Sequence, residues 1–151
     1  MTSTQAGADA PKGSAEEMLR GLIARCESAV GPDVGLDIQI FRAVNPTKPT
    51  HSESTGEYLG RPYTASIDAA LTLVPEEWRV EHIGEQLSGG RWDVELHWRE
   101  YSMEDCIQSE GSTAALALCI AALKGRLAEH LQARKRPLHT PNLSGEKETV
   151  E

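Results

Sequence analysis

Arg61, Tyr63, Thr64 and Ser66 stand together at the start of a short apolar segment, and their chemistry suits one task, holding an anion. A helix opening at Thr64 would offer unsatisfied backbone N–H groups, with hydroxyls and a guanidinium beside them. The plainer reading is that Thr64 caps the helix and Ser66 is a solvated first-turn residue. His82 and His97, with Asp93 and Glu95 nearby, allow a metal site to be drawn. Yet no pair has the tight spacing of a zinc motif, and nothing in the sequence places Cys106 to complete one. Exposed strand histidines and no metal site are therefore expected. Glu100, Glu104, Asp105 and Glu110 follow no acid–base template and read as a solvated connection. Nucleophile-elbow, phosphate-loop, dinucleotide-binding and zinc-protease patterns are all missing. The expectation is a protein that is not an enzyme and needs no cofactor.

The elements that must position these residues centre on Trp78 to Trp98. Trp92, Val94, Leu96 and Trp98 alternate with Arg91, Asp93, Glu95, His97 and Arg99, the period of a strand with one apolar and one polar face. Trp78, Val80 and His82 repeat the pattern less cleanly, and Ser88-Gly89-Gly90 supplies the turn. Trp92 and Trp98 share a face with Val94 and Leu96, which suits core packing or, alternatively, a surface for a partner. Cys106-Ile107-Gln108 is expected to add a third strand. Ser14 and Glu17 form a capping-box pattern before a stripe of Met18, Leu19, Leu22, Ile23, Cys26, Ala29 and Val30. Gly31-Pro32 ends that helix and Asp33 starts another, with Leu36, Ile40, Phe41 and Val44 on one face, a reading preferred over the strand that the alternation of Leu36, Ile38 and Ile40 would also allow. Residues 45–62 read as a long loop, with a weak edge-strand signal at 57–59. Ile67, Ala70, Leu71 and Val74 mark a short third helix stopped by Pro75. Gly111-Ser112-Thr113 precede a final helix that is apolar nearly all round, so it should lie across the sheet.

A length of 151 residues suits one domain. The division expected is a disordered tail over 1–13, an α+β domain over 14–134 and a second disordered tail over 135–151. No apolar run is long enough to span a membrane, and a cytoplasmic location is expected. Three widely spaced cysteines, Cys26, Cys106 and Cys119, read as reduced thiols. Between residues 14 and 110, eight Lys and Arg face eighteen Asp and Glu, a net of −10. Such a surface repels phosphate backbones and makes a nucleic-acid partner unfavourable. Arg134-Lys135-Arg136 fits the negative end of the last helix's dipole.

PYTASIDAALTLVPEEW, the two strands after it, and STAALALCIAAL resemble the phage ABA sandwich domain family, as does GPDVGLDIQI before them. The resemblance spans roughly residues 31–125 and departs at 46–58, where that family's first strand would fall. It implies a small antiparallel sheet of three or four strands with helices on both faces, an α-β-α sandwich, and a phage or prophage origin. It implies no chemistry. The functional expectation is an acidic phage accessory protein that binds and modulates a host or phage protein. The alternatives are a binder of a small anionic nucleotide or metabolite near Arg61, or a protein with a purely structural role. A sheet edge could pair with a second copy.

Overall fold

The computed structural model describes residues 11–87, 89–98 and 106–135. Four helices and three strands follow in chain order: α1 (Pro11–Ser28), α2 (Val34–Val44), α3 (Ile67–Leu71), β1 (Trp78–Glu85), β2 (Trp92–Trp98), β3 (Cys106–Gly111) and α4 (Ala114–Lys135). The strands form one antiparallel sheet in the order β1-β2-β3. The α+β class and the three-stranded sheet agree with the sequence reading.

Helix α1 begins at Pro11, three residues before the expected cap at Ser14. Proline's fixed φ and missing N–H suit the first helical position, where that donor would have no intrahelical partner. The helix thus takes in residues 11–13, within the tail expected over 1–13; residues 1–10 and 136–151 lie outside those described. Leu19, Leu22, Ile23 and Cys26 form the buried stripe, whereas Met18 is exposed within the helix and Val30 lies beyond its end at Ser28. Helix α2 opens as expected: the Asp33 carboxylate accepts the Leu36 N–H at 3.0 Å. Its buried face is Leu36, Ile40 and Phe41, with Asp37 buried beside them.

The hairpin's two strands are not equivalent. Strand β2 keeps strict alternation, and Val94 and Leu96 are fully buried. Strand β1 carries a bulge between Val80 and His82, so that Glu81 has no opposite residue. The extra residue returns Ile83 to the core face opposite Val94 and places His82 opposite Glu95 on the other face. Gly90, at φ +76°, provides the turn conformation a Cβ resists. Trp78 and Trp98 are register partners in edge-to-face contact at 5.2 Å.

Helix α4 is the hub. Thr113 accepts the Leu116 N–H at 3.1 Å at its start, and every residue from Ala114 to Leu123 is buried. One side of α4 lies on all three strands; α1 and α3 pack against the helix as well, and α1 also touches the β3 edge. The sheet face that packs in the core with α4 bears Val94, Leu96, Ile107 and Ser109, whose hydroxyl donates to the Ala117 carbonyl at 2.8 Å. The opposite face carries His82, Asp93, Glu95, His97, Cys106, Gln108 and Glu110. The second helical layer implied by a sandwich is not found among the described residues. Those polar side chains offer no apolar stripe for it to cover.

The β3–α4 corner leaves no room for a side chain: a Cβ on Gly111 would lie 2.7 Å from the Ala117 backbone nitrogen. Gly111→Ala should therefore destabilise the fold by about 1–3 kcal/mol in urea denaturation. At Gly125, mid-helix, the nearest atoms to a new Cβ are at an ordinary 3.5 Å. Gly125→Ala should raise stability by about 0.5–1 kcal/mol in the same assay.

Candidate functional site

The structure separates the four residues expected to hold an anion. The cap of α3 is Ser66, not Thr64: the Ser66 hydroxyl accepts the Ala69 N–H at 3.1 Å, and its backbone is extended. Thr64 turns inward instead and is buried. Its N–H and hydroxyl both donate to one Asp37 carboxylate oxygen, at 2.8 and 2.7 Å, while its oxygen accepts the Asp33 N–H at 2.8 Å. This latch fastens the segment before α3 onto the first turn of α2. The cap moves two residues along because Thr64 is already committed to Asp33 and Asp37. Consequently the helix is shorter and its buried residues are Ala69 and Ala70, followed by Leu73; Ile67 and Leu71 are exposed.

Arg61 and Tyr63 do share a site, a cleft of about 650 Å³ between the end of α2, the 45–62 loop and α4. Three cations line it, Lys48, Arg61 and Arg126, together with Asn45, Leu59, Thr72 and Tyr63, over a floor that includes the buried Phe41 and Leu73. No carboxylate is among its lining residues. Arg126 is held in place by donating Nε–H to the Leu73 carbonyl at 2.8 Å. Burial pulls its pKa down, and the nearby Glu129 carboxylate counters that. Arg61 is exposed, and its carbonyl is fixed by the Tyr58 hydroxyl at 2.9 Å. The loop that carries Lys48 is tied back by a bridge between His51 and Tyr58, which is the ordered part of the weak edge-strand signal. Tyr58 also stacks edge-on against Phe41 at 5.9 Å.

A second group of functional side chains lies on the uncovered sheet face. Glu95 and His97 are two apart on β2, and Cys106 is the register partner of His97 on β3. The Glu95 Oε2 atom is 3.4 Å from His97 Nε2, accepts the Cys106 thiol at 3.3 Å and accepts the Gln108 amide at 3.4 Å. Those bonds, the thiol's first, hold the Glu95 carboxyl below its ordinary range; burial and then the facing carboxylate push the Cys106 thiol up. Sequence reasoning missed this grouping. By sequence His82 and His97 suggest one shared site, whereas the bulge sets His82 opposite Glu95 and leaves Arg79 opposite His97. Cys106 entered only once the β2–β3 register was known. The other thiols, Cys26 and Cys119, are also free but fully buried, and burial pushes Cys26 up to about 12.

Trp92 and Trp98 face the core side of the sheet near its two ends, each partly buried and packed against the core. Trp78 beside them is buried, and its indole N–H has no partner among the described residues. Of the acidic run, Glu110 lies on β3, where it pairs with Arg91 at 3.7 Å; Glu100, Glu104 and Asp105 lie outside the described residues, as does Arg136 of the basic run. No described helix is long and apolar enough to cross a membrane. No protein-family model, no curated protein and no solved structure matches the chain, so the resemblance to phage ABA sandwich domains rests on the residues quoted above.

The Thr64–Asp37 latch gives two expectations. Thr64→Val leaves the Asp33 N–H without its acceptor and should cost about 1–3 kcal/mol by chemical denaturation. Burial raises the Asp37 pKa from 3.8 in spite of the Thr64 hydrogen bonds, so the folded chain binds that proton more tightly than the unfolded chain. Its contribution is full in acid, below the unfolded value, and is lost as pH rises through the raised one. Wild-type stability should accordingly fall over that window relative to Asp37→Asn, which keeps an acceptor for Thr64 and does not titrate.

Proposed function

We propose that the protein is a binding protein whose ligand is a small anionic molecule, of the nucleotide or phosphorylated or carboxylated metabolite class, held in the Arg61 cleft. The observation that carries this reading is the charge inversion there. In a chain of net charge −8, Lys48, Arg61 and Arg126 line one concavity with no carboxylate among its lining residues. Its volume of about 650 Å³ lies within the range of small-molecule sites. The guanidiniums suit planar, bidentate contacts to phosphate or carboxylate oxygens, and the apolar floor suits a ring or carbon skeleton. Turnover is not part of the proposal; the cleft is read as a place to hold a ligand in the cytoplasm.

A second reading keeps the protein partner expected from composition. What favours it is the uncovered sheet face with Asp93, Glu95 and Glu110, an acidic surface suited to a basic host or phage protein. The phage or prophage origin belongs to this reading and is supported by the family resemblance alone.

Thermal shift across a panel of nucleotides, sugar phosphates and di- and tricarboxylates separates the two readings. One anionic class should raise the melting temperature, and Arg61→Ala and Lys48→Ala should each weaken its binding at least about tenfold, equivalent to 1.4 kcal/mol. Both side chains are exposed, so the variants should fold as the wild type does. A panel without a shift, or a shift that survives both substitutions, would sink the ligand reading.

A further inference from the structure

We propose that Glu95, His97 and Cys106 form a three-ligand site for a divalent cation of the zinc class on the uncovered face of the sheet. The three donor atoms all lie within 4.8 Å of one another. Zinc bound tetrahedrally at about 2.0–2.3 Å from such donors would separate them by about 3.3–3.6 Å, from the geometry of a tetrahedron. Two of the three edges already have that length, with Glu95 Oε2 at 3.4 Å from His97 Nε2 and 3.3 Å from Cys106 Sγ. The rotamers that make these hydrogen bonds are therefore close to those that would ligate. The third edge, between His97 and Cys106, is at most 4.8 Å and would close to the same range on binding.

The backbone supplies this geometry. Residues two apart on a strand project from the same face, and Cys106 is the direct cross-strand neighbour of His97. Gln108, the register partner of Glu95, donates to the same carboxylate oxygen and so orients it from outside the ligand set. Glu95 and His97 have side chains 32% and 25% exposed, so an ion can enter from solvent. Arg79, opposite His97, has its guanidinium turned to Glu81, and Arg91 pairs with Glu110, so these two guanidiniums are answered by other carboxylates.

The donor set selects the ion. A thiolate, an imidazole and a carboxylate together suit Zn²⁺ or Co²⁺ and do not suit Mg²⁺ or Ca²⁺, which take oxygen donors. On binding, the Cys106 S–H bond breaks, its electron pair forms the S–metal bond and the proton leaves to solvent. Three protein ligands leave the fourth position to water.

Cobalt is the probe. The full chain, stripped with chelator, should take up one equivalent of Co²⁺ with a thiolate-to-cobalt charge-transfer absorption in the near ultraviolet, and Zn²⁺ should abolish that band by displacement. Cys106→Ser should remove the band, and Glu95→Gln and His97→Ala should each weaken binding at least tenfold. Circular dichroism and thermal melting of the metal-free variants confirm that these partly exposed substitutions leave the fold in place. As a measurement on the unaltered chain, Zn²⁺ should slow iodoacetamide alkylation of Cys106 at least tenfold, mapped by mass spectrometry. No band at millimolar Co²⁺, a band that survives Cys106→Ser, or an alkylation rate indifferent to Zn²⁺ would overturn the assignment.

Discussion

Everything in this fold is arranged around the need to bury the first ten residues of α4 on every side. A helix from Ala114 to Leu123 with no solvated face cannot be satisfied by one sheet, because a sheet covers only half its circumference. The remaining half needs other helices, and α1 and α3 supply that cover. Small side chains set the spacing: Ala115, Ala117, Ala121 and Ala122 let neighbouring backbones come close, and at the Gly111 corner the α4 backbone leaves no room for a Cβ. The sheet thus spends its apolar face on α4 and leaves its polar face with no described helix across it. Both features on which function is argued follow from that constraint: the cleft where the α2 end, the 45–62 loop and α4 meet, and the row of ionisable side chains on the uncovered face.

Much of the fold was legible where a single periodicity carried the information. Strand β2, the Asp33 cap and the apolar first half of α4 each obey a local rule that no tertiary contact contradicts. Reading failed where a local rule had a competitor. Thr64 is as good a cap as Ser66, and only the presence of Asp37, 27 residues earlier, decides that its hydroxyl is used elsewhere. Ser14 resembles a cap, but Pro11 starts the helix first. Met18 and Val30 fit the stripe of α1 by spacing, and both lie outside the packed contact.

The candidate sites were less legible than the fold because each depends on register or on loop path. Arg61 was found from its neighbours in sequence, yet the cations that share its cleft come from 13 residues before it and 65 after it, Lys48 and Arg126. The sheet-face group needed two registers at once, the bulged one between β1 and β2 and the regular one between β2 and β3. A bulge leaves no dependable mark in sequence. In β1 it shows only as an alternation that loses its phase at Glu81.

That unpaired residue also sets how the gene can change length. Elsewhere in β1 or β2, inserting or deleting one codon inverts the strand beyond it, sending apolar side chains to water and ionisable ones to the core. Removal of Glu81 is different, since it joins Val80 to His82 and leaves every cross-strand partner as it stands: Leu96, Glu95 and Val94 keep Val80, His82 and Ile83. Position 81 is thus the place in β1 where the hairpin can lose a residue without changing what lies inside.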